Sequence, residues 1–230
     1  MGLFEGDTCN PLINDYIWLE QVDYVLIEDP LKTIKVGTGV TEIAQINCKA
    51  DFTLEFKKGA SLTMINNTED YYRMISIEGG RGKNWAGDVP DPKINVRILN
   101  PVLHGDRDSV IGAGEFGAGI YLYNAEHITI ENAETYDMFG DGMGIGGDSG
   151  RVCKDISILG TFRAERCRRQ GISVGAAENL YIEYLYAKDI DGAAPFAAID
   201  FETNNEVSWL RNCHVGRIYA ENCYRALLVA

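Results

Sequence analysis

The chain has 230 residues, 46% of them apolar, long enough to bury a core and short enough for one domain. A net charge of −13 and a pI near 4.6 exclude the clustered Lys/Arg face that a phosphate backbone needs, so no nucleic-acid partner is expected. No stretch reaches the roughly 18 apolar residues of a membrane span, and Met1-Gly2-Leu3-Phe4-Glu5-Gly6-Asp7 has neither the basic start nor the apolar core of a signal peptide, so no membrane partner is expected either.

Helical periodicity is nearly absent. Short β-branched and aromatic runs recur instead, and each reads as a strand: Tyr24-Val25-Leu26-Ile27, Thr33-Ile34-Lys35-Val36, Phe52-Thr53-Leu54-Glu55-Phe56, Ile128-Thr129-Ile130 and Ile156-Ser157-Ile158. Gly, Asn and Asp punctuate them. Residues 79–92, rich in Gly and Pro and containing Trp85, read as one large inserted loop. Gly112-Ala113-Gly114-Glu115-Phe116-Gly117 has the letters of a dinucleotide fingerprint, but no strong strand precedes it and no helix follows, so that reading fails. The six cysteines form no CxxC pair and are expected as free thiols. Three of them, in Glu165-Arg166-Cys167, Arg211-Asn212-Cys213 and Glu221-Asn222-Cys223, suggest one repeated buried position.

Self-alignment organises the second half of the chain. Gly119-Ile120-Tyr121-Leu122, Gly142-Met143-Gly144-Ile145, Gly171-Ile172-Ser173-Val174, Ala198-Ile199-Asp200-Phe201 and Ala226-Leu227-Leu228-Val229 superpose, with steps of 23, 29, 27 and 28 residues between their second positions. A second strand follows in each complete coil: His127-Ile128-Thr129-Ile130, Asp155-Ile156-Ser157-Ile158, Asn179-Leu180-Tyr181-Ile182 and Arg217-Ile218-Tyr219-Ala220. Coils without helices bury their apolar faces only by stacking. The expected fold is therefore all-β, a right-handed parallel β-helix solenoid with coils of about 23–29 residues, in which Ile120, Met143, Ile172, Ile199 and Leu227 form one inward ladder. Residues 1–230 read as a single domain. The pattern stops inside a strand at Leu227-Leu228-Val229-Ala230, so the chain is expected to be a piece of a longer one.

From about residue 45 onward these features resemble the pectate-lyase-like β-helix superfamily, particularly polygalacturonase-type repeats and bacteriophage tailspike depolymerases. Gly140-Asp141-Gly142-Met143-Gly144-Ile145 is similar to the Gly-Asp-Asp strand entry of polygalacturonases, with Gly142 in place of the second Asp. Gln170-Gly171-Ile172-Ser173-Val174 is similar to their Gly-His-Gly-Ile-Ser entry, with Gln170 in place of His. Leu54-Glu55-Phe56-Lys57-Lys58-Gly59-Ala60-Ser61-Leu62 resembles an early coil of these enzymes. His104-Gly105-Asp106-Arg107-Asp108 and Gly114-Glu115-Phe116-Gly117 resemble a tailspike segment. The resemblance implies polysaccharide as substrate, an extracellular or virion-associated location and a homotrimer.

Strand alternation turns Ile199 and Phe201 inward and Asp200 and Glu202 outward. Residues two apart on a strand lie roughly 6.6 Å apart, within the roughly 5–9.5 Å that glycosidases use between carboxyls. The column beneath Asp200 continues through Ser173 and Gly144, small residues that leave room for a sugar; simple solvation of the acids is the alternative. Asp141 lies two coils from Asp200, roughly 9–10 Å along the stack; it serves either as a catalytic acid or as a turn residue. Glu115 is an outlying catalytic candidate. Arg168 and Arg169 read as substrate-binding residues for an acidic sugar, as aids to proton abstraction in a lyase, or as partners of nearby carboxylates. Tyr121 and Tyr123 face outward and are candidates for stacking on a sugar ring. Asp148 and the Asp106-Arg107-Asp108 cluster read as turn residues. His104, His127 and His214 are scattered without ligand spacing, so no zinc site is expected; the many surface acids leave calcium open as an alternative, although no EF-hand loop occurs, and neither metal nor cofactor is assigned to the site. The function expected is polysaccharide depolymerisation by carboxylate acid/base catalysis, glycoside hydrolysis ahead of lyase cleavage. A noncatalytic glycan-binding adhesin or structural shaft is the rival from another class.

Overall fold

A computed structural model describes residues 17–18, 24–27, 31–34, 46–47, 52–65, 71–78, 93–108, 116–148, 150–203 and 205–230. Among these residues the protein is all-β, with no helix. Every strand pairing is parallel. The expected loop at 79–92 and Glu115 lie outside the described residues. Of the predicted strand at 33–36, residues 33–34 belong to Leu31–Ile34 and the rest is likewise outside.

Two sheets alternate along the chain. The first has eight strands, in the order Ile17–Trp18, Ile46–Asn47, Tyr71–Glu78, Phe116–Tyr123, Asp141–Gly146, Gln170–Val174, Ala197–Phe201 and Arg225–Val229. Between successive members the chain crosses to a second sheet of eleven strands. There it forms two short strands early on, such as Glu126–Glu131 and Glu134–Tyr136. Later it forms one long strand: Cys153–Glu165, Ala177–Ile190 and Leu210–Cys223. Parallel neighbours cannot be joined by hairpins, so each return to the first sheet must cross over.

The register of the first sheet agrees with the repeat read from the sequence. Ile120 pairs with Met143, Met143 with Ile172, Ile172 with Ile199 and Ile199 with Leu227, and the column extends backward through Ile75. All but Leu227 are fully buried. They join Ile128, Ile130, Ile156, Ile158, Leu180 and Ile182 of the second sheet in one hydrophobic cluster. Like residues stack on like residues because parallel strands in register repeat the same side-chain direction at each level.

One expected register differs. Asn179-Leu180-Tyr181-Ile182 pairs not with Arg217-Ile218-Tyr219-Ala220 but with Asn212-Cys213-His214-Val215, and Arg217–Ala220 pairs with Tyr184-Leu185-Tyr186-Ala187. In these levels the two short strands have merged into one run of 13 or 14 residues, so the sequence offers two β-like segments where only the first continues the Ile128 column. The cysteines follow suit. Cys213 continues the Leu180 column whereas Cys223 pairs with Ile190, so they mark two positions, each just after a corner residue. The four described cysteines are free, and burial pushes the Cys153 and Cys167 thiols up to about 12.

Corners are built from residues that tolerate the left-handed backbone region, among them Asn124, Asn132, Asp137, Asp155, Asn179, Asp189, Asn212 and Asn222. They also stack. Asn212 Nδ2 donates to Asn179 Oδ1 at 3.0 Å and Asn179 Nδ2 to Asp155 Oδ1 at 2.9 Å, while Asn222 Nδ2 donates to Asp189 Oδ1 at 2.7 Å.

Candidate functional site

The outer face of the first sheet is bent at its strand entries. A Cβ added at Gly142 would meet Gly171 O and Thr135 Oγ1, both at 2.6 Å, and Ala164 Cβ at 3.1 Å. Gly142 therefore faces the packed interior, as does Met143 after it, so alternation breaks at this strand entry and both Asp141 before the pair and Gly144 after it line the outer face. Asp141 is in register with Ala118 on one side and Gln170 on the other, and Gln170 with Ala197. Three residues along each strand runs the second outward column, Tyr121, Gly144, Ser173 and Asp200, paired as the sequence predicts.

Between these columns lies a pocket of about 210 Å³, lined by Arg73, Tyr121, Asp141, Arg169 and Ser173 with Gly117, Gly144, Gly146 and Gly175 backbone. The space above Gly144 is not wholly free for a ligand. An added Cβ there would lie 2.7 Å from Tyr121 Cδ2, because the Tyr121 ring lies across the glycine. The Arg73 guanidinium caps that ring at 3.5 Å from its centroid, and Tyr123 stacks beside it at 5.9 Å. Tyr121 is thus a wall of the pocket.

The two arginines at the Gln170–Val174 strand entry part company. Arg168 N and Arg169 N donate to Met138 O and Gly140 O, anchoring both to the preceding turn. The Arg168 side chain then lies over the Phe139 ring at 4.6 Å, away from the pocket. Arg169 Nη1 crosses to Asp141 Oδ2 at 3.0 Å and also reaches Gln170 Oε1 at 3.4 Å. Gln170 Nε2 donates to Asp200 Oδ2 at 2.6 Å. A continuous chain, Asp141–Arg169–Gln170–Asp200, therefore joins two buried carboxyls.

Burial dominates the electrostatics. Asp141 is 5% exposed and Asp200 2%, and in each the Oδ1 atom is buried with no hydrogen-bond partner. Desolvation pushes Asp141 up to about 7, against the opposing pull of Arg169, and the charge on Asp200 adds to the rise. Asp200 is also raised, first by burial and then by Glu202, while Gln170, Arg169 and Arg225 oppose. Asp141 is thus poised to hold or release a proton near neutral pH.

The expected pair of exposed acids on one strand is not what forms. The strand ends at Phe201, so Glu202 lies just beyond it, exposed, with its N–H bonded to Val174 O at 3.1 Å. Asp200 keeps the outward direction that alternation gives it, yet it is buried. Alternation specifies a face and says nothing of what covers it, here including the Gln170 side chain from the neighbouring strand. Asp148 is a turn residue, as read: its carboxylate accepts from Asn124 Nδ2 at 3.0 Å and its carbonyl from Arg151 N at 2.8 Å. Arg107 is ion-paired with Asp108 and Asp191, as a salt-bridged turn requires.

Gln170 and Arg73 were not singled out as site residues from the sequence. Gln170 could have been found from its place before an inward glycine in register with Asp141, and Arg73 from its alignment with Ala118 two levels below Asp141. Among the described residues no group of three or more His, Cys, Asp or Glu side chains is arranged to hold a metal ion. Compared with known proteins, the chain matches no family model, and neither a curated protein nor a solved structure is significantly similar to it.

Proposed function

We propose that the parallel sheets wind as a right-handed parallel β-helix and that the outer face of the first sheet cleaves a polysaccharide by carboxylate acid/base catalysis, hydrolysis ahead of β-elimination. Three features support the winding: the regular alternation of strands between two parallel sheets, their in-register ladders, and the right-handed sense that parallel crossovers almost always take.

The observation that carries the chemistry is Asp141, a buried carboxyl on the wall of an open pocket whose proton is held up to about pH 7. Such a group can donate to the glycosidic oxygen as the C–O bond breaks. Asp200, with Glu202 two residues further along the chain, supplies the negative side and accepts the proton of the water that adds to the sugar carbon. Arg73 and Arg169 suit an acidic sugar, and Tyr121 and Tyr123 offer aromatic surface at the mouth. An extracellular or virion-associated setting and a homotrimeric assembly go with this reading.

The test is to incubate the protein with bacterial capsular and O-antigen polysaccharides and with polygalacturonate, and to follow new reducing ends. Asp141→Asn should lower the rate by about 10²–10⁴-fold, the usual worth of a general acid, with an unchanged circular dichroism spectrum. The wild-type rate should fall as pH rises past about 7, where Asp141 loses its proton. Products carrying the ultraviolet absorbance of an unsaturated uronate would assign a lyase instead. Binding without cleavage of any of them would sink the enzyme reading in favour of an adhesin.

A further inference from the structure

Resting on the reading of this pocket as the site of an acidic sugar, we propose that Tyr121 is a positioning residue: its ring holds the Arg73 guanidinium over the pocket, and through that cation it makes the site selective for an anionic ligand.

The ring is fixed by what lies on each side of it. Below it is Gly144, where an added Cβ would lie 2.7 Å from Tyr121 Cδ2 and 2.9 Å from Cε2, so only a residue without a side chain lets the ring lie across the strand. Its hydroxyl end reaches over Gly146, 3.0 Å from a Cβ added there. Tyr123 stacks beside it, with 5.9 Å between centroids and 20° between planes. The remaining face carries Arg73, whose guanidinium carbon is 3.5 Å from the ring centroid. Neither face is left for a sugar. The aromatic surface that Tyr121 offers at the mouth is an edge, and its influence on a ligand runs through the cation it holds. A guanidinium over an aromatic face is attracted by the ring quadrupole, most strongly where water is excluded, and Arg73 is only 7% exposed.

Register places that cation where a ligand needs it. Arg73 pairs with Ala118 and Ala118 with Asp141. Arg73 and Asp141 therefore stand two strands apart, roughly 9–10 Å, with only the Ala118 methyl between them in the column. A sugar lying over Ala118 can meet Arg73 with its anionic group and Asp141 with its glycosidic oxygen. The charged side chains lining the pocket are two guanidiniums, Arg73 and Arg169, and one carboxyl, Asp141, on a chain whose net charge is −13. Arg169 and Asp141 pair with each other at 3.0 Å and offset in charge, so Arg73 gives the lining its positive balance. A cleft lined by one sign of charge concentrates ions of the other sign by about 10–10³-fold.

The experiment puts a thiol into the pocket of the full chain by Ser173→Cys. Its reaction rates are compared for the anionic 2-sulfonatoethyl, the cationic 2-(trimethylammonio)ethyl and the neutral methyl methanethiosulfonates at low ionic strength. Rates are divided by those of a small free thiol, and the parent chain corrects for the native cysteines. The anionic-to-cationic ratio should exceed that of the free thiol by about tenfold or more. Arg73→Met should remove most of that preference. Tyr121→Leu should do the same although Arg73 is still present, whereas Tyr121→Phe, which keeps the ring, should retain it. Loosening of the pocket alone would raise the rates of all three reagents together and leave the ratio unmoved. A Ser173→Cys chain with no anion preference overturns the proposal whether or not any further variant folds, and so does a folded Tyr121→Leu chain that keeps the wild-type ratio. No glycan is needed. If the ratio follows the ring and no glycan is cleaved, the catalytic reading fails alone; if glycan is cleaved and the ratio ignores the ring, the role of Tyr121 fails alone.

Discussion

Two glycines two residues apart face opposite ways and are small for different reasons. Gly144 gives way to the Tyr121 ring, a side chain at the pocket edge that is only partly buried, so an added methyl 2.7 Å from Cδ2 can push the ring outward. Gly142 meets the backbone carbonyl of Gly171 at 2.6 Å and the buried Thr135 hydroxyl at the same distance, and neither can yield without moving a strand. Overpacking costs typically 1–3 kcal/mol and more where backbone must shift. Gly144→Ala should therefore lose about 1 kcal/mol or less in urea unfolding, and Gly142→Ala about 3 kcal/mol or more. The first should also change the environment of Tyr121, read as its fluorescence or ring-proton shifts. Equal losses at the two positions would refute the assignment of Gly142 to the interior and Gly144 to the outer face.

At the level of the strand, stability rests on columns of like residues. Ile172 lies in the middle of such a column, between Met143 and Ile199, with no exposed surface of its own. Ile172→Ala should destabilise the protein by about 2–5 kcal/mol, the cost of the lost burial plus the cavity left behind, seen as a lower urea midpoint. Leu227→Ala in the same column should cost less, because Leu227 is 50% exposed. This column was legible in the sequence, since an inward apolar residue returning after each glycine or alanine has few explanations other than stacked parallel strands. The second sheet was less legible. A Gly160 or Gly216 inside a long strand does not reveal whether two short strands or one bent strand surrounds it, so Arg217–Ala220 was matched to the wrong column. The site was legible in part. Asp141 and the Ser173 and Gly144 column came from the repeat and from the resemblance, but the burial of Asp200 and the link through Gln170 depend on side chains reaching between neighbouring strands, which a one-dimensional period does not encode.

At the scale of the molecule, an acid kept protonated by burial links the site to folding. The ordinary carboxylate value is 3.8, whereas folding raises Asp141 to about 7, so between these values the native state holds a proton that the unfolded chain releases. Stability rises with pH only where the unfolded state binds more protons. Here the folded state binds more, so the contribution of Asp141 is fully present below about 3.8 and is lost as pH rises through about 7. Asp200, also raised, acts in the same direction. Arg169 limits the loss, because once Asp141 ionises the pair remains 3.0 Å apart and the charge is compensated. The other carboxylates of this acidic chain, Asp200 excepted because its charge bears on Asp141, titrate alike in wild-type and Asp141→Asn protein, so the difference between their unfolding free energies reports on this pair. Measured in urea from pH 4 to pH 8, the wild-type advantage over Asp141→Asn should shrink steadily with rising pH and level off above about 7. Two parallel curves would mean that Asp141 titrates normally in the folded protein, and with that its capacity to act as an acid at neutral pH would be gone.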